Sequence, residues 1–159
     1  MRSKTQRGVT LLEMMVVVTL IAILAGISYP SVAAGLETLR INSAAESIVS
    51  FIDGALTRAD RRQLMTELIV IPGESKLMVR SPEPGFVREL HLPEGVTIAR
   101  IVPELMGLPE GSVRTFFVYP GGSVPRIGIE LVNQRGTRRF LRVDPVTGVP
   151  VIEKLEMKQ

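Results

Sequence analysis

The 159-residue sequence contains no cysteine and a single histidine, His91, and its aromatic content is only 4%. Without cysteine there can be no disulfide framework, thiolate metal site or cysteine nucleophile. One histidine excludes a histidine-rich metal site, and nothing in the sequence supports a Ser–His–Asp set around it. Phosphate-binding and dinucleotide-binding motifs are also absent. The sequence therefore predicts no enzymatic activity and no cofactor, and it places His91 on a strand as a surface or half-buried residue.

Acidic residues are too scattered to predict a metal site. A calcium ion usually takes several oxygen ligands. In the C-terminal part of the chain, Asp144 has hardly any acidic residue near it, and Glu130 is distant from it in sequence. We expect no bound metal.

The net charge of +3 originates at the N-terminus, because Arg2, Lys4 and Arg7 account for all of it. The charges of the remaining residues balance. Positive charges directly before an apolar segment favour a cytoplasmic N-terminus and export of the rest of the chain. The basic excess therefore indicates membrane topology more than nucleic-acid binding.

A long apolar run from Val9 to Tyr29 contains one charged residue, Glu13. As a helix this run spans roughly 30 Å, the thickness of the hydrocarbon core of a bilayer. An ordinary secretory signal is the alternative interpretation, with Ala22 and Ala25 as a loose small-x-small cleavage site. A carboxylate within an apolar span is costly in lipid and indicates a functional partner.

Gly8 lies directly before the apolar run and suggests such a partner for Glu13. A cut after Gly8 would release the basic leader and free the amine of Val9. The Glu13 carboxylate of a neighbouring subunit could then pair with that amine inside an assembled helix bundle.

The N-terminal segment resembles the prepilin peptidase motif of type IV pilins and type II secretion pseudopilins. The resemblance is carried by Arg7-Gly8-Val9-Thr10-Leu11-Leu12-Glu13-Met14-Met15-Val16-Val17. It implies cleavage between Gly8 and Val9, N-methylation of Val9, and a role for Glu13 in subunit recruitment and register. The implied partners are the prepilin peptidase, an inner-membrane assembly platform, and other pilins or pseudopilins through the N-terminal helix. The family usually has Phe where this sequence has Val9.

The helix is predicted to resume after Pro30 and to end near Arg62. Proline inside a helix removes a hydrogen bond and kinks the axis, and the resemblance implies that the helix bends or locally melts at Pro30 during assembly. The alternative is that Pro30 ends a transmembrane helix. Apolar residues then recur at steps of four and three, which predicts one buried stripe on a helix: Ile41, Ala45, Ile48, Ile52, Ala55 and Ala59.

The rest of the sequence predicts an antiparallel β domain, because short β-type runs alternate with Pro- and Gly-rich turns. The fold class is α+β, a long N-terminal transmembrane and spine helix packed on this domain. The predicted parts are a cleaved leader (1–8), a transmembrane segment (9–29), an amphipathic continuation (30–62) and a periplasmic domain (63–159). The predicted strands are Leu68–Ile71, Lys76–Arg80, Val87–Leu92, Val96–Ile101, Thr115–Tyr119, Ile127–Leu131, Phe140–Val143 and Val149–Ile152.

The C-terminal third resembles the group of the minor pseudopilin H and the FimT-type minor pilins. The segments concerned are Phe116–Ser123, Ile127–Leu131 and Leu141–Gly148. Gly121 replaces the Asp that the group usually has in the first turn. The resemblance implies a minor pseudopilin anchored by one helix in the bacterial inner membrane, with its domain in the periplasm. Such a subunit joins a periplasmic pseudopilus that promotes protein export across the outer membrane.

A DNA-binding minor pilin of natural transformation is the alternative function. Five arginines in the C-terminal region are the candidate phosphate contacts. The competing interpretation is that Arg138 and Arg142 share a strand face and pair with Glu130 or similar acids. The balanced charge of the exported part and the scarcity of aromatic residues favour the scaffold role, so nucleic acid is not an expected partner. The candidates are Arg126, Arg135, Arg138, Arg139 and Arg142.

Overall fold

The structure is a computed structural model that describes residues 10–109, 111–121, 126–144 and 148–154, without the side chains of Pro30, Ser31 and Lys154. The chain divides into two compact units, Met1–Leu36 and Glu37–Gln159. The predicted leader and cleavage site, residues 1–9, lie outside the described residues.

One helix, α1, runs from Leu11 to Arg62. Its C-terminal end agrees with the prediction, and it continues across position 30, so Pro30 does not end it. Within the first unit its large apolar side chains are exposed, for example Leu11 at 80% and Ile27 at 70%. A surface of this kind is unfavourable in water, so the segment requires an apolar environment.

In the second unit the helix is amphipathic, as predicted. The stripe residues Ile41, Ala45 and Ile48 are fully buried, and Ile52, Ala55 and Ala59 are at most 2% exposed. Burying each large aliphatic side chain contributes roughly 1.5–3 kcal/mol. This stripe is the helix side of the hydrophobic core.

Eight strands are found in the described residues, and they form two antiparallel four-stranded sheets. The first sheet has the order β3-β2-β1-β5 and the second β4-β6-β7-β8. A short 3-10 turn, Pro72–Glu74, follows β1. The strands are β1 Thr66–Ile71, β2 Lys76–Arg80, β3 Val87–His91, β4 Val96–Val102, β5 Arg114–Val118, β6 Gly128–Asn133, β7 Arg138–Val143 and β8 Pro150–Lys154.

The α+β prediction is confirmed, and each predicted strand corresponds to an observed one, with ends that differ by at most a few residues. Buried residues alternate with less buried ones along the strands. Leu68 and Val70 of β1, and Leu77 and Val79 of β2, point into the core. Among the described residues, every member of the core lies between Ile41 and Val143. We therefore expect residues 36–159 to fold without the apolar N-terminal segment.

The end of the helix is tied to the turn after β5. The backbone N–H of Gly121 donates to the Asp60 Oδ1 carboxylate oxygen at 3.0 Å. Gly121 has a φ of +83°, which glycine adopts without steric cost. Glycine at position 121 therefore allows the left-handed conformation that this turn requires.

Replacing each of two glycines by alanine is expected to change the stability of the second unit in opposite directions. A Cβ built at Gly128 would lie 2.8 Å from Phe140 Cζ and 3.2 Å from Val102 Cβ, whereas a Cβ at Gly54, in the helix, would meet no atom within 4 Å. We expect Gly128→Ala to destabilise the second unit by about 1–3 kcal/mol through overpacking. Gly54→Ala should stabilise it by roughly 0.5–1 kcal/mol through helix propensity. Urea unfolding of residues 36–159 measures both, and equal effects of the two substitutions would contradict this packing.

Candidate functional site

The start of α1 is fixed by a side-chain cap. Thr10 precedes the helix, and its Oγ1 accepts a hydrogen bond from the backbone N–H of Glu13 at 3.2 Å, while its carbonyl accepts one from Met14 at 3.2 Å. This is an N-cap, with the acidic residue three positions into the helix. The role of Thr10 was missed in the sequence analysis, although the Thr-x-x-Glu spacing of a capping box was its visible signal.

Glu13 is exposed and forms no ion pair among the described residues. It lies at the start of the one helix in the described part of the chain that is apolar and long enough to cross a membrane; the mean hydropathy of its most apolar 18-residue window is 2.4. No residue of the most apolar window is buried within the chain. Since an uncompensated carboxylate in such a segment is costly, Glu13 needs a partner that the described residues do not supply.

A second polar group of this part of the helix, the Thr19 hydroxyl, is satisfied locally. The Thr19 hydroxyl donates to the Met15 carbonyl at 2.7 Å, a bond within the helix that hides the hydroxyl from an apolar environment. Glu13 therefore differs from Thr19 in needing a partner.

An exposed apolar helix with one charged residue, continued into a unit built on two antiparallel sheets, is an α+β pilin-like architecture. Residues 3–29 match the family model described as the prokaryotic N-terminal methylation motif. This match to the N-terminal segment indicates a type IV pilin-like protein or a pseudopilin, and together with the apolar helix it points to membrane anchoring. Comparison with curated proteins and with solved structures gives no significant match.

Glu130 is a buried acid at the centre of the arginine-rich strands. It is 3% exposed. Arg138 Nη1 donates to its Oε1 at 2.7 Å, and Arg100 Nε donates to its Oε2 at 3.1 Å. Arg100 lies directly opposite Glu130 in the pairing of β4 with β6. Glu130 thus neutralises one of the five candidate DNA contacts, Arg138, by the kind of pairing that the competing interpretation predicted.

Two more of the candidate arginines have partners within the second unit. Arg142 Nε lies 2.7 Å from Glu153 Oε1, across the pairing of β7 with β8. Arg139 Nε donates to the Asn42 Oδ1 oxygen at 2.9 Å, which ties β7 to the helix. These contacts leave less of the positive charge available for phosphate.

Arg126 and Arg135 are exposed and form no ion pair among the described residues. They lie beyond opposite ends of β6. The five residue steps of β6 that separate them cover roughly 17 Å, at about 3.3 Å per strand residue. The two free guanidinium groups therefore do not form one patch.

A cluster of charged residues lies where β2 and β3 pair. Lys76 Nζ is 2.8 Å from Glu74 Oε2, and this hydrogen bond lowers the pKa of Glu74 and raises the pKa of Lys76. The side chain of His91 is 66% exposed, with Nε2 3.4 Å from Glu89 Oε2, so His91 is the surface strand residue that was predicted. Among the described residues no group of three or more acids and histidines is arranged to hold a metal ion.

Proposed function

We propose that this chain is a minor pseudopilin, a structural subunit of the type II secretion pseudopilus that promotes protein export across the outer membrane. The observation that carries the proposal is the methylation motif over residues 3–29, with Glu13 uncompensated at the start of an exposed apolar helix. A prepilin peptidase cuts between Gly8 and Val9, and Val9 is then methylated. The helix holds the subunit in the inner membrane, with the sheet unit in the periplasm, until the assembly platform inserts it into the pseudopilus.

The contact that drives this insertion is electrostatic. In an apolar helix bundle, the Glu13 carboxylate pairs with the Val9 amine of a neighbouring subunit. At low dielectric such a pair is strong, and it is tolerated only when both charges are satisfied. The pairing also sets the axial register between subunits, because Glu13 of one helix can reach the Val9 amine of its neighbour at only one axial offset.

Single-cysteine crosslinking tests the assignment to a secretion machine. Because the sequence contains no cysteine, Val16→Cys introduces the only thiol, in the exposed apolar part of α1. We expect oxidative crosslinks to pseudopilins that carry a cysteine in the same region of their helices. Crosslinks to type IV pilins alone would contradict the secretion assignment. Arg135→Cys, at an exposed position of the second unit, is the control variant.

DNA binding by residues 36–159 tests the alternative function, which predicts that this fragment binds duplex DNA. We expect no binding of duplex DNA even at low salt, since Glu130, Glu153 and Asn42 already engage three of the five arginines. The double variant Glu130→Gln, Glu153→Gln releases two of these arginines and should bind measurably better. Submicromolar affinity of the unmodified domain that weakens steeply with salt would overturn the purely structural role.

A further inference from the structure

Four buried side-chain polar atoms have no hydrogen-bond partner among the described residues, and three of them lie where the end of α1 meets the first sheet. These three are Thr66 Oγ1, Ser81 Oγ and Arg58 Nε, whereas the fourth, Asn133 Nδ2, belongs to the second sheet. A buried polar group without a hydrogen bond costs free energy. Three such groups at one corner of the unit therefore indicate a common partner.

Strand pairing places the two hydroxyl groups opposite each other. Glu67 of β1 pairs with Arg80 of β2 in an antiparallel register, and the next residues of that register are Thr66 and Ser81. Thr66 is 0% exposed and Ser81 is 6% exposed, so both side chains face the core. The Cβ atoms of directly opposed residues are about 4.5–5.5 Å apart. One water molecule, with hydrogen bonds of about 2.8 Å on either side, can bridge such an interval.

The third group, the Nε–H of Arg58, comes from the helix. The Arg58 guanidinium pairs with Glu83 and lies over the Phe86 ring, 3.2 Å from its centroid. Arg58 also lines one cavity together with Val79. Ser81 lies midway in the sequence between Val79 and Glu83. Since both of these residues lie beside Arg58, the Ser81 hydroxyl and the Arg58 side chain share one corner of the unit.

The charges at this corner favour a neutral occupant. The positive charge of Arg58 is already matched by Glu83. Arg62, whose Nε lies 3.6 Å from Glu83, is 60% exposed and faces solvent. A water molecule can accept the Nε–H of Arg58 and can donate to or accept from either hydroxyl. Buried water typically makes about three hydrogen bonds, which is the number of groups that meet here.

We propose that one buried water molecule binds Thr66, Ser81 and Arg58, and that it joins the end of α1 to β1 and to the residue that follows β2. The site lies at the end of the helix that also carries the contact between Asp60 and Gly121. The proposal goes beyond the role in a pseudopilus and does not depend on it.

A high-resolution crystal structure of the full chain in detergent tests the proposal directly. We expect electron density for one water oxygen within about 3.2 Å of both hydroxyl oxygens. A direct hydrogen bond between Thr66 and Ser81, or no density between them, would overturn the proposal. Crystals grown in bromide separate water from a halide, because an anomalous peak at this position would show a bound anion and would equally overturn it.

Urea unfolding of the full chain in detergent gives an independent measurement. Thr66→Val and Ser81→Ala each remove one partner of the water and leave the others unsatisfied. Each should lower the ratio of folded to unfolded protein about 5- to 30-fold. The double variant should lose less than the product of the two effects, because the first substitution already releases the shared water.

Thr115→Val is the matched control for these variants. Thr115 lies on β5 of the same sheet, but its side chain is exposed, so we expect the ratio of folded to unfolded protein to stay unchanged. If the effects of Thr66→Val and Ser81→Ala simply multiply in the double variant, the two hydroxyls have no shared partner and the proposal is wrong.

Discussion

A chain carrying Glu13→Leu is expected to be inserted and cleaved normally but to be absent from assembled filaments. The substitution makes the helix more apolar, so insertion should not suffer. It also removes the only charged group of the apolar segment, and a neighbour's Val9 amine would then be buried without a partner. Breaking a buried ion pair on one side costs about 3–5 kcal/mol, which corresponds to a decrease in incorporation of more than about a hundredfold. Quantifying the chain in pseudopilus assemblies purified through another pseudopilin measures this loss.

Thr19→Val is the matched control for that experiment. Thr19 lies in the same exposed apolar helix, but its hydroxyl is bonded to the Met15 carbonyl, so no neighbouring subunit depends on it. We expect normal incorporation of this variant. Equal incorporation of the Glu13 and Thr19 variants would show that Glu13 is not the recruiting group.

Gly8→Trp is expected to give a precursor that stays in the membrane and keeps Arg2, Lys4 and Arg7. The resemblance to prepilins implies that the peptidase cuts directly after Gly8, where a bulky side chain would obstruct the reaction. Without the cut there is no free amine at Val9 and therefore no partner for a neighbour's Glu13. The variant should consequently be lost from filaments as completely as Glu13→Leu.

Immunoblots of membrane fractions separate the two variants, since Glu13→Leu is processed and Gly8→Trp is not. Ser3→Trp places the same side chain elsewhere in the leader and should be processed normally. Normal processing of Gly8→Trp would refute the cleavage assignment, and cleavage near Ala25 would support an ordinary secretory signal instead.

The elements of the fold were predictable because each follows from a local pattern. The helix stripe from Ile41 to Ala59 has a helical period, and strands such as Lys76–Arg80 are bounded by turn residues. The grouping of strands into two sheets was not predictable, since β5 returns to pair with β1 while β4 pairs with β6. That order is decided by burial of the core as a whole and leaves no local signal.

The candidate site was likewise predictable from the sequence only in part. Glu13 was visible because a lone charge in an apolar run is conspicuous. The second arginine on Glu130, Arg100, comes from a strand 30 residues earlier, and Arg139 reaches Asn42 across 97 residues. Contacts over such distances depend on strand register and helix position, which the sequence alone does not reveal.

The central claim is that the mature chain begins at a methylated Val9, whose amine meets a neighbour's Glu13. Intact mass spectrometry of the native protein extracted from membranes tests this claim most directly. The account predicts a single mature species that lacks residues 1–8 and carries one added methyl group at its N-terminus. A mass that retains the leader, or one that corresponds to cleavage after Ala25, would contradict it.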